Sequence, residues 1–274
     1  MPLFHHRKRV MKDSVFIGEM THREYGERVA DGNAVLMLPV GSLEQHGHHL
    51  SMNVDVLLPT AMCERIANRI GAMVLPPLQY GYKSQPRTGG GNFFVGTTSL
   101  DGATVSATLR DIIRELARHG ARKLVIVNGH YENSMFIVEG VDLALRELNH
   151  AGIADFRVMT LSYWDFVSDD AVISAVYPDG FQGCDLEHGG VLETSLMLAL
   201  YPDLVDMSKV VVHPPPEFPP YDIHPPRREW TPAPGTLSSA QNASEEKGRL
   251  ILEACVTGIA NAVREEFFEA EHPP

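Results

Sequence analysis

At 274 residues, 44% hydrophobic and 21% charged, the chain can bury one large core or two small ones, so neither disorder nor a metal needed for folding is implied. Thirty-five acids against twenty-three bases leave a formal charge of −12, which argues against a nucleic-acid groove and for a small-molecule partner. Cys63, Cys184 and Cys255 form no CxxC pair, and no run approaches the roughly 18 apolar residues of a membrane span, so the expectation is a cytoplasmic protein with neither a disulfide framework nor a zinc ribbon.

Residues 1–14 read as an N-terminal arm, in which Lys12 and Asp13 interrupt any signal-peptide core, and 15–274 as a single domain. His5 and His6 in that arm have at most an adventitious affinity for metal. Residues 34–41 (AVLMLPVG) are a nearly unbroken apolar run, the mark of a strand covered on both faces. Met62, Ile66 and Ile70 recur at four-residue steps in 59–70, predicting a helix with Pro59 in its first turn and Gly71 past its end. AMVLPPL from Ala72 begins another strand. Residues 83–99, with Gly89-Gly90-Gly91 and Phe93-Phe94, lack core periodicity and read as a loop lining a site or a subunit contact; without GxxxxGK they are no phosphate cradle. Ser99 is the predicted cap of a helix running to about His119, whose apolar stripe is Val105, Leu109, Ile112, Ile113 and Leu116.

Residues 123–128 (KLVIVN) are the next buried strand, bending through Gly129 into a helix that ends near Leu148, and 156–161 is extended again. Gly189-Gly190 introduce a helix to Leu200, and a last amphipathic helix spans about Ser244 to Phe267. Nine prolines in 213–234 make that stretch rigid and irregular. The alternation of strand and helix predicts an α/β layered fold with a largely parallel central sheet and flanking helices.

Such sheets place ligand sites outside the carboxyl ends of their strands. LPVGSLEQHGHHLSMNVD sets Glu44 and His46 just after one buried strand, with Asp55 nine residues beyond His46; VNGHYEN sets His130 and Glu132 after another. A two-residue step in extended chain turns both side chains to one side. Two imidazoles and three carboxylates suit two divalent ions bridged by Asp55, with one net positive charge favouring a bound hydroxide. Caps and turn bonds would explain either pair alone; two oppositely ordered pairs at strand ends favour metal. His48 and His49 fit supporting or surface positions better than ligand positions, and Asn53, Asn128 and Asn133 turn or orienting roles.

LPVGSLEQHGHH, MNVDVLLPTA, QYGYKSQ, GTTSLDGAT, NGHYENSMFIVEG, LSYWDF and EHGGVLETSLMLALYPD resemble the creatininase family, from about Val15 to Phe267. The resemblance implies the creatininase α/β fold, a homohexamer, and Zn2+ or Mn2+ as the two ions. One ion would be held by Glu44, Asp55 and His130, and the other by His46, Asp55 and Glu132. It further implies reversible hydrolysis of creatinine to creatine, in which a hydroxide shared by the ions attacks the ring carbonyl and His188, oriented by Glu187 or Glu193, assists proton transfer. Glu132 joins His188 as a catalytic residue, and Tyr131 and Trp164 are expected to contact substrate. Cys184 departs from the pattern: FQGCDLEHGG carries a thiol where the family carries a tryptophan that covers the substrate. A more open cover is expected, with weaker creatinine binding or another cyclic amide, small amide or cyclic carbonyl compound as substrate. A noncatalytic metal-binding oligomer is the different-class alternative, and a nucleophilic Cys184 is disfavoured because no Cys-His-acid arrangement is evident.

Overall fold

The computed structural model describes residues 14–167 and 170–269. The expected arm, apart from Ser14, and with it His5-His6, lies outside the described residues. The elements run α1 (His22–Val29), β1 (Val35–Val40), α2 (Val54–Ile70), β2 (Met73–Val74), α3 (Gly102–Arg118), β3 (Lys123–Asn128), α4 (Ser134–His150), β4 (Arg157–Ser162), α5 (Asp170–Val176), α6 (Val191–Leu200) and α7 (Glu245–Arg264). The four strands form one parallel sheet in the order β2-β1-β3-β4.

Side chains alternate across the two faces of these strands, which explains their unbroken apolar runs. Val35 and Met37 of β1 and Val125 and Val127 of β3 pack into a core completed by α2, α6 and α7. Leu36, Leu38 and Val40, with Leu124 and Ile126, face the opposite core, built with α3 and α4. The result is an α/β sandwich with helices on both faces, as expected from the alternation of elements. Register then positions the site: Val40 pairs with Asn128, and Asn128 with Ser162. Three strands therefore end level, and the segments after them leave from one edge.

Some boundaries differ from expectation. Helix α2 starts at Val54, so Pro59 lies inside it. Ser99 is not a cap; its hydroxyl donates to Asn92 Oδ1 at 2.7 Å, and α3 begins after Asp101. Strand β2 has only two residues, and the last helix ends at Arg264, followed by a π-helical turn over Glu265–Glu269. Ser244 does cap α7, its side chain accepting from Lys247 N. The proline-rich 213–234 stretch contains only a short turn of helix at Arg228–Trp230.

Candidate active site

Asp55 sits in the first turn of α2, where helix N–H groups favour a carboxylate. Pro59 has no N–H, which leaves the Asp55 carbonyl, four residues earlier, without its helical partner. The two strand-end loops close onto that carbonyl: a Cβ at Gly41 or at Gly129 would lie 2.3 Å from Asp55 O. Glycine at both positions is thus what lets the loops carrying Glu44 and His130 reach the start of α2. Asn133 ties the loops together, accepting from Tyr82 N at 2.8 Å and donating to Gly41 O at 3.1 Å.

The side chains converge as the strand-end pairs predict, with one difference. His130 Nδ1 lies 3.0 Å from Glu44 Oε2 and 3.0 Å from Asp55 Oδ2. The other Asp55 oxygen, Oδ1, is 2.9 Å from His46 Nε2. Asp55 therefore stands between the two imidazoles, one oxygen toward each. Glu44, Asp55 and His130 form one triad of donor atoms within 4.8 Å of one another; His46, His188 and Glu193 form a second. Glu132 joins neither. Its Oε1 accepts from Gln85 N at 2.7 Å and Thr88 Oγ1 at 2.6 Å, while Oε2 lies 3.3 Å from His130 Nε2, on the far edge of the ring from Glu44 and Asp55.

Besides Asp55, the carboxylate nearest His46 is Glu193, whose Oε2 is 3.6 Å from His46 Nε2, while the expected ligand Glu132 stands beside His130. The role expected of Glu193 from the resemblance is orienting His188. A usable signal was present: Glu193 is a lone acid in the otherwise apolar start of α6, and it is buried. Acids are almost never buried without a partner.

The electrostatics of this cup fit cations. Both Glu44 oxygens, His46 Nε2, Asp55 Oδ2 and Glu132 Oε2 are buried and make no aligned hydrogen bond. They approach one another at ion-pair distance without pointing N–H at O, as ligands aimed at a shared centre would. Burial pushes the Glu44 carboxyl up to about 7 against the downward pull of His130. Burial also raises Asp55, but the His46 and His130 imidazoles outweigh it and hold the carboxyl well below its usual range. The backbone carbonyl of Glu44 lies 3.1 Å from His46 Nδ1; a carbonyl can only accept, so Nδ1 carries a proton and Nε2 is the nitrogen turned toward the cup that would ligate an ion.

The cup opens into a cleft whose space, counted out into open solvent, is about 420 Å³. Trp164 stacks on Tyr131 at 6.3 Å and 16°, and meets Tyr163 edge-on at 5.1 Å. Tyr131, Trp164, Cys184 and His188, four expected substrate or proton-transfer residues, all line this cleft, as do Thr88 and Glu187. Burial, with Asp165 and Glu187 adding to it, pushes the Cys184 thiol up to about 12, so it is a neutral wall and no nucleophile. Burial pulls His188 well below its ordinary value, and His46 adds to the effect. Burial pushes the Glu187 carboxyl up to about 7, although Leu192 N donates to it at 2.9 Å. His49 is buried away from the cup with Nε2 2.9 Å from Thr194 Oγ1, and His48 is exposed, consistent with supporting and surface positions.

Residues 18–263 match the family described as creatininase, creatinine amidohydrolase. A creatinine amidohydrolase of Pseudomonas putida is 72% identical over 257 residues, covering 94% of this chain and 99% of that protein. A solved creatininase structure with manganese superposes with a TM-score of 0.92 at 72% identity, covering 93% of this chain and 99% of that one. A glutamate-to-glutamine creatininase variant, solved in a zinc–zinc form and in complex with creatine, matches with the same score, identity and coverage.

Proposed function

The chain belongs to the creatininase family, and from that membership we propose how its cup and cleft divide the work of opening creatinine to creatine. The activity is that of a creatinine amidohydrolase with two divalent metal sites of the zinc or manganese kind. Glu44, Asp55 and His130 would hold one ion; His46, Asp55 and Glu193 would hold the other. The observation that carries this division is Asp55 with one oxygen 2.9 Å from His46 and the other 3.0 Å from His130.

Bound ions supply Lewis acidity to the ring carbonyl and lower the pKa of water. The protein's own groups do the rest. Thr88 and Gln85 N anchor one Glu132 oxygen, which leaves Oε2 oriented beside His130 and free to accept a proton from the attacking water. His188 assists transfer of a proton to the ring nitrogen as the C–N bond breaks. Tyr131 and Trp164 form a flat wall for the small ring, and the Tyr131 phenol, raised above its ordinary value first by burial and then by Asp185 and Glu132, stays protonated to donate a hydrogen bond.

Cys184 favours a second substrate beside creatinine: a small thiol in the cleft wall leaves room for a different cyclic amide. The test is metal-reconstituted enzyme incubated separately with creatinine and with related cyclic amides, products identified directly. Creatine from creatinine is expected; full loading of both sites without ring opening of any substrate would overturn the reading.

A homohexamer is proposed from family membership, and exposed Met135 and Val138 on α4, beside edge strand β4, supply apolar surface for a contact between copies. Sedimentation of the purified enzyme measures it. A single catalytic domain over 15–274 and a cytoplasmic location are proposed on the same footing; the three free cysteines, two of them buried, suit a reducing compartment.

A further inference from the structure

His188 does not stand free in the cleft wall. Its Nε2 lies 3.0 Å from the side-chain nitrogen of Gln45, a buried residue between the proposed ligands Glu44 and His46. Which partner donates depends on the orientation of the Gln45 amide, and two backbone groups decide it. Gly47 N–H, which can only donate, lies 2.9 Å from Gln45 Oε1. The Gly235 carbonyl, which can only accept, lies 2.9 Å from Gln45 Nε2. Both contacts demand the same orientation, so the amide cannot be reversed without losing two hydrogen bonds. The remaining N–H of Gln45 then donates to His188 Nε2, which must be the nitrogen bearing the lone pair.

The surroundings are shaped around that amide. A Cβ at Gly235, where φ is +91°, would lie 2.2 Å from Gln45 Oε1, and a Cβ at Gly90, where φ is +77°, would lie 3.0 Å from Gln45 Nε2. Both are left-handed backbone positions suited to glycine, and both are glycine. The ring nitrogen that Gln45 addresses is also the one 3.8 Å from Glu44 Oε1, on the side of the metal cup.

We propose that Gln45 is a positioning residue for the reaction, clamped by Gly47 and Gly235 so that it holds His188 as the Nδ1–H tautomer, with the Nε2 lone pair engaged by the Gln45 N–H. The inference rests on the reading of His188 as the proton-transfer residue. Held this way, the His188 ring keeps one orientation and one tautomer beside the cup.

The experiment uses the zinc-loaded full-length enzyme labelled with 15N-histidine, the His188 signals being assigned by their loss in His188→Gln. The expected result is an unprotonated Nε2 and a protonated Nδ1 in the parent enzyme, and the reversed tautomer in Gln45→Glu, whose carboxylate accepts where the amide donates. Gln45→Met, which keeps the bulk and removes the donor, is expected to lose the single tautomer and to lower kcat about tenfold or more, with KM and two-ion stoichiometry retained. Gly235→Ala should reproduce the loss by displacing the amide. An Nε2–H tautomer in the parent enzyme, or Gln45→Met with unchanged tautomer and kcat, overturns the proposal. If His188→Ala keeps full turnover while the tautomer results hold, the proton-transfer reading fails and the clamp stands as a purely structural device.

Discussion

Replacing Glu193 with glutamine tests which carboxylate completes the second metal site. Glutamine keeps the volume, so the start of α6 is not emptied, and its side-chain oxygen can still accept from Gly189 N, the 2.6 Å bond made by Glu193 Oε2. What is lost is one negative charge, 3.6 Å from His46 Nε2, on a side chain that is 12% exposed. Partners one step removed from a metal typically affect affinity by about 10- to 100-fold, so removing a direct anionic ligand should exceed the upper end of that range. A hundredfold loss of ion affinity corresponds to about 2.7 kcal/mol, and weakening a single charge-assisted hydrogen bond costs the fold about 1.5–3 kcal/mol at most, less than the roughly 5–15 kcal/mol by which a domain is stable. Folding should therefore survive while one ion is lost. Elemental analysis after dialysis should give one ion per chain in Glu193→Gln and two in Glu132→Gln, with turnover depressed in both. Two tightly held ions in Glu193→Gln, with one in Glu132→Gln, would refute this ligand assignment and restore the His46–Asp55–Glu132 set.

Cys184→Trp should restore an aromatic cover: about 40–50 Å² of added apolar contact is worth about 1 kcal/mol, so KM for creatinine should fall about fivefold, and unchanged creatinine kinetics would make the thiol inconsequential. Glu187 provides a pH test on metal-depleted protein. Its folded carboxyl, pushed up to about 7 by burial, binds a proton more tightly than its unfolded form near 4.5, so its contribution is fully present below pH 4.5 and is lost as pH rises through 7. Denaturant titrations should show Glu187→Gln losing less stability than the parent between pH 5 and 7.5, a difference of at most about 3 kcal/mol; parallel profiles would contradict the buried-carboxyl account.

Much of the fold was legible because its signals are local. The continuous apolar runs of β1 and β3 reflect burial on both faces, and Gly71 after α2, at φ 75°, ends that helix as expected. Pro59 misled by one turn: proline is tolerated inside α2 because the carbonyl it orphans belongs to Asp55, where the strand-end loops pack and the helix is not required to close its ladder. Ser99 failed as a cap because its hydroxyl was already engaged by Asn92. Competing side-chain partners of that kind are invisible in a single stretch of chain.

By itself the sequence determined which side chains leave each strand together: Glu44 with His46, and His130 with Glu132, since a two-residue step is a property of the local backbone. It also carried the alternation that makes the sheet parallel and hence opens a site at its carboxyl edge. Only the tertiary structure decided that Glu193, rather than Glu132, stands beside His46, and that Gln45 faces His188. Those contacts join segments far apart in the chain, and their geometry follows from the level ending of β1, β3 and β4 and from how α6 packs beneath them. Long-range register and helix packing are collective outcomes of the whole core, so no single segment encodes them.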